Sequence, residues 1–153
     1  MLSNLQDRYS PTGVCFGCGP RNAEGLRLKS FVEGDVVVAA FTPQERHCGF
    51  PGMLNGGIIG TIFDCHMNWT AAYFLMKSAG ADEPPCTVTG NFRVDFQAPT
   101  PMDQPLRLES QVIELGKRKA KIAVKLFAED VVTATGEGVF VAVKEGHPAF
   151  NRW

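Results

Sequence analysis

The sequence predicts an α+β fold: one long central helix wrapped by a curved antiparallel β-sheet. Three observations lead there. Residues 58–77 (IIGTIFDCHMNWTAAYFLMK) are apolar on nearly every face, as in a helix buried all round. Six segments with strand character flank it, in the order β-β-α-β-β-β-β. The chain has 153 residues, which suits one domain with a real core. A single helix that is apolar all round needs a sheet curved around it.

Taken in order, residues 1–25 are rich in Gly, Pro and turn formers and read as an irregular N-terminal leader, with a single domain over 26–153. LRLKSFV (26–32) alternates as a short strand, Gly34-Asp35 is a turn signal, and DVVVAAF (35–41) is its hairpin partner. Residues 42–54 form a loop punctuated by Pro43, Gly49, Pro51 and Gly52. The helix follows, ended by Gly80. CTVTGNFRVDFQAP (86–99) is a strand stopped by a proline, and LRLESQVIEL (106–115) is the next. After a turn at Gly116–Lys119, KIAVKLFAE (121–129) sets Ile122, Val124, Leu126 and Ala128 on one face. ATGEGVFVAVK (134–144) closes the sheet.

Composition excludes several classes. Hydrophobic residues make up 44% and charged residues 20%, as in an ordinary globular protein. A formal net charge of −1 leaves no footprint for nucleic acid or an anionic membrane. The most apolar run carries Asp64, His66 and Asn68, against a membrane span. MLSNLQDRYSPTG lacks the apolar core of a secretory signal, and the cysteine count is an odd five. Reduced thiols and a cytoplasmic location are expected.

The stretch LNGGIIGTIFD (54–64) concentrates the chemistry. Asn55 is placed to cap the helix, its side-chain oxygen accepting from first-turn amides. Gly56 and Gly57 let another molecule approach the backbone, where free amides and the helix dipole favour an anion. The same residues also suit a plain helix entry. Asp64 puts a carboxylate on a buried helix, which is costly unless it is paired or functional. Asn68, one turn on, could orient it; a structural Asp bonded to backbone or Thr is the bland alternative. Gly56 and Asp64 are eight residues apart, roughly 12 Å along a helix. That is too far for both to act on one carbonyl. If both are catalytic, a second copy of the chain must supply one of them, in a two-fold dimer with two composite sites.

HCGFPGMLNGGIIGTIFD (47–64) resembles the HGG-to-Asp signature of hotdog-fold acyl-CoA thioesterases, the PaaI-like branch. CFGCGPRNAEGLRLKSF (15–31), VTGNFRVDFQAPTP (88–101) and GEGVFVAV near the end resemble it too. The resemblance implies a hotdog domain, hydrolysis of an acyl- or aryl-CoA to free acid and CoA, and a homodimer or dimer of dimers. It implies that the Gly56 amide polarises the thioester carbonyl, with Gly57 supporting the turn. Asp64 from the partner subunit would be general base or nucleophile. Thr89 falls where relatives hold the attacking water with Ser or Thr, although strand propensity alone also accounts for it, and His47 falls near the mouth of the site, with a plain surface His as the alternative. Coenzyme A carries a pyrophosphate and a ribose phosphate, so Lys117, Arg118 and Lys119 are candidate contacts, although such hairpin-tip charges are often only solvated. Relatives carry His where this chain has Asn55. Asn can cap but cannot titrate near neutrality. A non-catalytic acyl-CoA-binding hotdog module is therefore the competing expectation.

No metal or redox cofactor is expected; coenzyme A enters as part of the substrate. Cys15-x-x-Cys18 supplies two ligands where a structural zinc needs four, and no second CxxC or HxxxH exists. His47-Cys48 could complete a set only through tertiary packing. Thioredoxin-like redox chemistry needs a βαβ context that the strand order lacks. Cys65 and Cys86 read as core or interface thiols, and His66 as a packing or interface residue facing away from Asp64.

Overall fold

The structure, a computed structural model, describes residues 3–151. Its elements are α1 (Leu5–Tyr9), β1 (Ser30–Glu33), β2 (Val36–Phe41), a 3-10 turn (Glu45–His47), α2 (Gly56–Ser78), β3 (Thr87–Phe96), β4 (Leu106–Leu115), β5 (Lys119–Ala128) and β6 (Val131–Ala142). The six strands form one antiparallel sheet in the order β1-β2-β4-β5-β6-β3. α2 packs against β3, β4, β5 and β6. This is the hotdog arrangement.

The all-round apolar face of α2 is used as the sequence expects. Ile59, Ile62, Phe63, Met67, Trp69, Ala71 and Leu75 are buried on it. They meet the inward residues of the sheet: Leu106 and Leu108, Ile122, Val124 and Leu126, and Phe140. β5 shows the strict alternation, with Ala120 through Ala128 buried at every second position. Gly80, at φ +64°, follows the helix end in the left-handed conformation that glycine adopts without steric cost.

Two local readings differ from what forms. The strand expected over 26–32 begins only at Ser30. Before that, the amides of Leu26 and Leu28 donate to the carbonyls of Phe16 and Gly17 (2.8 and 3.0 Å), so this segment pairs with the leader instead of β2. Within the expected irregular leader, Asn4 caps a short helix by accepting from the Asp7 amide at 2.8 Å. Leu5 and Gln6 of that helix are buried.

A polar chain runs through the core beneath it. Gln6 accepts from the Ser30 amide at 2.7 Å and donates to the Ser30 hydroxyl at 3.0 Å. Ser30 Oγ lies 2.8 Å from His66 Nδ1, and His66 Nε2 lies 2.9 Å from the Val37 carbonyl. A carbonyl can only accept, so Nε2 bears the proton and Nδ1 accepts from Ser30. His66 is fully buried, and burial pushes it down to about 4, partly opposed by the bond to Val37. It is a structural residue joining α1, β1, α2 and β2.

Candidate active site

The start of α2 is built by Asn55. Its backbone is extended (φ −63°, ψ 133°), and its side-chain Oδ1 accepts from the amides of Gly57 and Ile58 at 2.8 and 3.2 Å. Its own amide donates to the His47 carbonyl at 2.9 Å, anchoring the cap to the preceding loop. The cap thus takes the second and third amides of the helix. The first, Gly56 N–H, has no hydrogen-bond partner among the described residues. A Cβ on Gly57 would lie 2.9 Å from Asn55 Oδ1, so a side chain there would crowd the capping oxygen. Gly56 lines an apolar cleft of about 440 Å³ with Phe50, Met53, Ile59, Phe96 and Pro99. A free amide at the positive end of a 23-residue helix, beside an apolar cleft, is suited to an oxyanion.

Two turns further on, Asp64 is partly buried and accepts a 2.6 Å hydrogen bond from Thr89 Oγ1. Thr89 is held by pairing with Phe140 of β6, and the register shifts between Thr89 and Asn91. Asn68, one turn beyond Asp64, accepts from Thr87 Oγ1 at 2.7 Å. Asp64, Asn68 and Thr89 face a recess of about 110 Å³. Gly56 and Asp64 therefore open onto two different cavities of one chain. Midway between them on the helix, a Cβ on Gly60 would sit 3.9 Å from the Phe92 ring.

The remaining candidates lie elsewhere. His47 is only 6% exposed. Its Nδ1 accepts from the Gln44 amide at 3.0 Å, its ring tilts against Phe41, and its buried Nε2 has no partner among the described residues. Burial, then the Arg46 charge, pushes its ring below the ordinary value. It thus reaches the site through its carbonyl on Asn55. Lys117, Arg118 and Lys119 form the β4–β5 turn; Arg118 donates to the Ala142 carbonyl at 2.8 Å. Lys119 pairs with Val141, which pairs with Val88, so this turn lies at the Thr89 end of the sheet, away from Gly56.

The third wall of the Asp64 recess is sulfur. Cys15 and Cys18 of the leader and Cys65 of α2 line it, with all three Sγ atoms within 4.8 Å of one another. Hydrogen bonds from Cys18 and Cys65, and then from the amides of Cys18 and Gly17, hold the Cys15 thiol well below its usual range. The bond to Cys15 pushes Cys18 up to about 12, and bonds to Cys15 and Cys18 push Cys65 up as well.

The sequence profile of the thioesterase superfamily matches residues 51–135, more than half of the chain. The chain belongs to the thioesterase superfamily. The match takes in Asn55, Gly56, Asp64 and Thr89 and leaves out Cys15, Cys18 and His47. This superfamily member is 30% identical to a thioesterase superfamily protein from Shewanella loihica PV-4, with a TM-score of 0.71 over 91% of this chain and 99% of that one. It is 27% identical over 104 residues to a Pseudomonas aeruginosa protein named "Putative esterase PA0474", covering 68% of this chain and 73% of that one. It shares its fold with the E. coli PaaI protein from the phenylacetic acid degradation operon: TM-score 0.66 over 78% of this chain and 81% of that one, at 14% identity.

Two features of the site escape a reading by motif. Phe96 closes the cleft at Gly56, where a Cβ would lie 3.3 Å from its ring; the only hint was a second Phe four residues after Phe92 on one strand. Cys65 joins Cys15 and Cys18 only through the packing of the leader on α2.

Proposed function

We propose that this superfamily member is a thioesterase that hydrolyses an acyl- or aryl-CoA thioester to the free acid and CoA, at sites shared between two subunits. The observation that bears the reading is the division of labour along α2. A free oxyanion donor, Gly56 N–H, lies at one cavity, and a carboxylate held by a hydroxyl, Asp64 with Thr89, lies at another.

A two-fold pairing of β3 with a second β3 would close that gap. β3 is the last strand of the sheet, with one edge of its ten residues unpaired among the described residues, and Phe92 and Phe96 are 40% and 59% exposed on it. Such an edge invites another strand. An axis at Phe92 would set Phe92 opposite its counterpart and bring the Thr89 end of one strand beside the Phe96 end of the other. Gly60, halfway between Gly56 and Asp64, already lies against Phe92, so helix and strand share one midpoint. Each composite site would then hold one subunit's Gly56 and Phe96 and the other's Asp64 and Thr89.

In that site the Gly56 amide donates to the thioester oxygen, a contribution of about 3–4 kcal/mol for a single donor of this kind. Asp64 of the partner subunit takes a proton from water as the water oxygen bonds to the carbonyl carbon, while Thr89 keeps the carboxylate in place. Collapse of the tetrahedral adduct breaks the C–S bond, and the departing CoA sulfur takes the proton that Asp64 removed from water, which restores the carboxylate. The apolar cleft accepts the acyl group, and Lys117, Arg118 and Lys119 offer cations to the phosphates of CoA. The Asn55 cap takes the amides of Gly57 and Ile58 and leaves that of Gly56 free, so Asn in place of His keeps the oxyanion donor available. The esterase named among the relatives agrees with hydrolysis. Five free thiols support a cytoplasmic setting.

The test is thiol release with Ellman's reagent across a panel of acyl- and aryl-CoAs, run beside thermal shift. Thiol release from at least one thioester is expected. Stabilisation by acyl-CoA without thiol release would assign the protein to the binding class instead.

A further inference from the structure

We infer that Cys15, Cys18 and Cys65 form a zinc site that fastens the N-terminal leader to the central helix beside Asp64. The site borders the Asp64 recess but does not depend on the Gly56–Asp64 reading. The sulfurs come from two places in the fold. Cys15 and Cys18 sit on one tight turn of the leader, and Cys65 sits on α2.

The geometry fits a tetrahedral thiolate set. Zn–S bonds near 2.3 Å at a tetrahedral angle put two sulfurs about 3.8 Å apart. Cys15 Sγ and Cys65 Sγ lie 3.7 Å apart, and all three sulfurs fall within 4.8 Å. Cys15 is exposed and can rotate to close the wider spacing, while Cys18 and Cys65 are buried at the floor. None of the three is in a disulfide.

The turn is short and closed, with Gly19 N–H donating to the Cys15 carbonyl at 2.7 Å. A Cβ on Gly17 would lie 2.4 Å from Cys65 Sγ and 2.9 Å from Thr61 Cγ2, so glycine alone lets this turn seat against the helix.

Sulfur donors select a thiophilic ion over calcium or magnesium. Among the described residues no His, Asp or Glu ligand atom joins the cluster, so the fourth position falls to water or a small external ligand in the recess shared with Asp64 and Thr89. The expectation of no metal rested on counting ligands along the sequence, which paired Cys15 with Cys18 and left Cys65 as a packing thiol.

The experiment is metal analysis of the untagged full chain, purified under reducing conditions, followed by exchange of zinc for cobalt(II). The expected results are one zinc per chain retained through dialysis, and intense sulfur-to-cobalt charge-transfer absorption in the exchanged protein. Folded Cys18→Ser and Cys65→Ser variants are each expected to lose both. The wild-type spectrum decides the matter even if a variant does not fold. Reduced wild type that holds no stoichiometric zinc, or that shows no thiolate band with cobalt(II), overturns the site. So does full retention of zinc by a folded Cys65→Ser variant.

Discussion

Thr89 Oγ1 donates a 2.6 Å hydrogen bond to Asp64 Oδ1 and so ties the edge strand of the sheet to the middle of the central helix. The two side chains share one recess, and neither shares a cavity with Gly56. If Asp64 is the base, Asp64→Asn keeps the shape and removes the proton acceptor. Turnover of the best CoA thioester is then expected to fall about 10²–10⁴-fold, with assembly and substrate binding retained. Thr89→Val keeps the branched shape and removes only the donor. A hydrogen bond to a charged group is worth about 1.5–3 kcal/mol, so a loss of about tenfold or more is expected. Steady-state kinetics check both, and an Asp64→Asn enzyme with normal turnover would end the assignment.

Gly56 can be tested without unwinding the helix. It occupies the first helical position, where proline is well tolerated, and Asn55 already has the extended conformation that precedes proline. Gly56→Pro deletes the proposed oxyanion donor; the Phe96 ring, 3.3 Å from the added carbon, must shift slightly. Neither Gly56→Pro nor Asp64→Asn homodimers are expected to turn over substrate. Mixed and re-equilibrated, they are expected to regain about a quarter of wild-type activity, because a heterodimer has one intact composite site. No recovery from subunits shown to exchange by mass spectrometry argues for a site within one chain.

The open edge of β3 makes a prediction about assembly. Phe92 is 40% exposed and lies at the midpoint of the strand. Phe92→Glu sets like charges facing each other across a two-fold axis. Light scattering is expected to report monomer, with the circular dichroism of wild type and thiol release lost. A monomeric variant that retains full turnover would remove the need for the partner.

Asn55 is expected to matter for stability as well as geometry. Asn55→Ala removes the acceptor for two amides, and loss of such a cap costs about 1 kcal/mol, or roughly 2–4 °C in Tm for a chain of this size. Asn55→Asp keeps the acceptor and is expected to keep the Tm. Differential scanning calorimetry separates the two; equal melting of Asn55→Ala and wild type refutes the capping role.

His66 sets an acid limit on stability. Burial holds the folded ring at about 4, whereas an unfolded histidine titrates near 6.5. Between those values the unfolded chain binds the proton and the folded one does not. The contribution is therefore fully present above 6.5 and is lost as pH falls toward about 4, by about 3 kcal/mol in total. Urea unfolding of wild type and His66→Gln across this range checks the slope, which is expected to be steeper in wild type.

Periodicity made the fold legible. α2 forms over Gly56–Ser78 because the run 58–77 is apolar on every face, and β4 forms at 106–115 as its alternation requires. The cap was equally local: an Asn before two glycines and a long apolar run has few other uses. What escaped was every feature set by contact between distant segments. Residues 26–28 alternate like a strand, yet they pair with Phe16 and Gly17, because the turn between Cys15 and Cys18 seats on the helix and draws that segment with it. His47 looked like a residue at the mouth of the site and is buried, because the 3-10 turn directs its ring onto Phe41.

By itself, then, the sequence determined a buried helix, the six strands around it, the Asn55 cap and the eight-residue spacing of Gly56 from Asp64. Helical period, strand alternation and capping are short-range, and a single chain of letters states them directly. Only the tertiary structure decided that Thr89 is the partner of Asp64, that Phe96 closes the cleft at Gly56, and that Cys65 completes a trio with Cys15 and Cys18. Those are contacts between residues far apart in the chain, and they exist only once the sheet has closed around the helix.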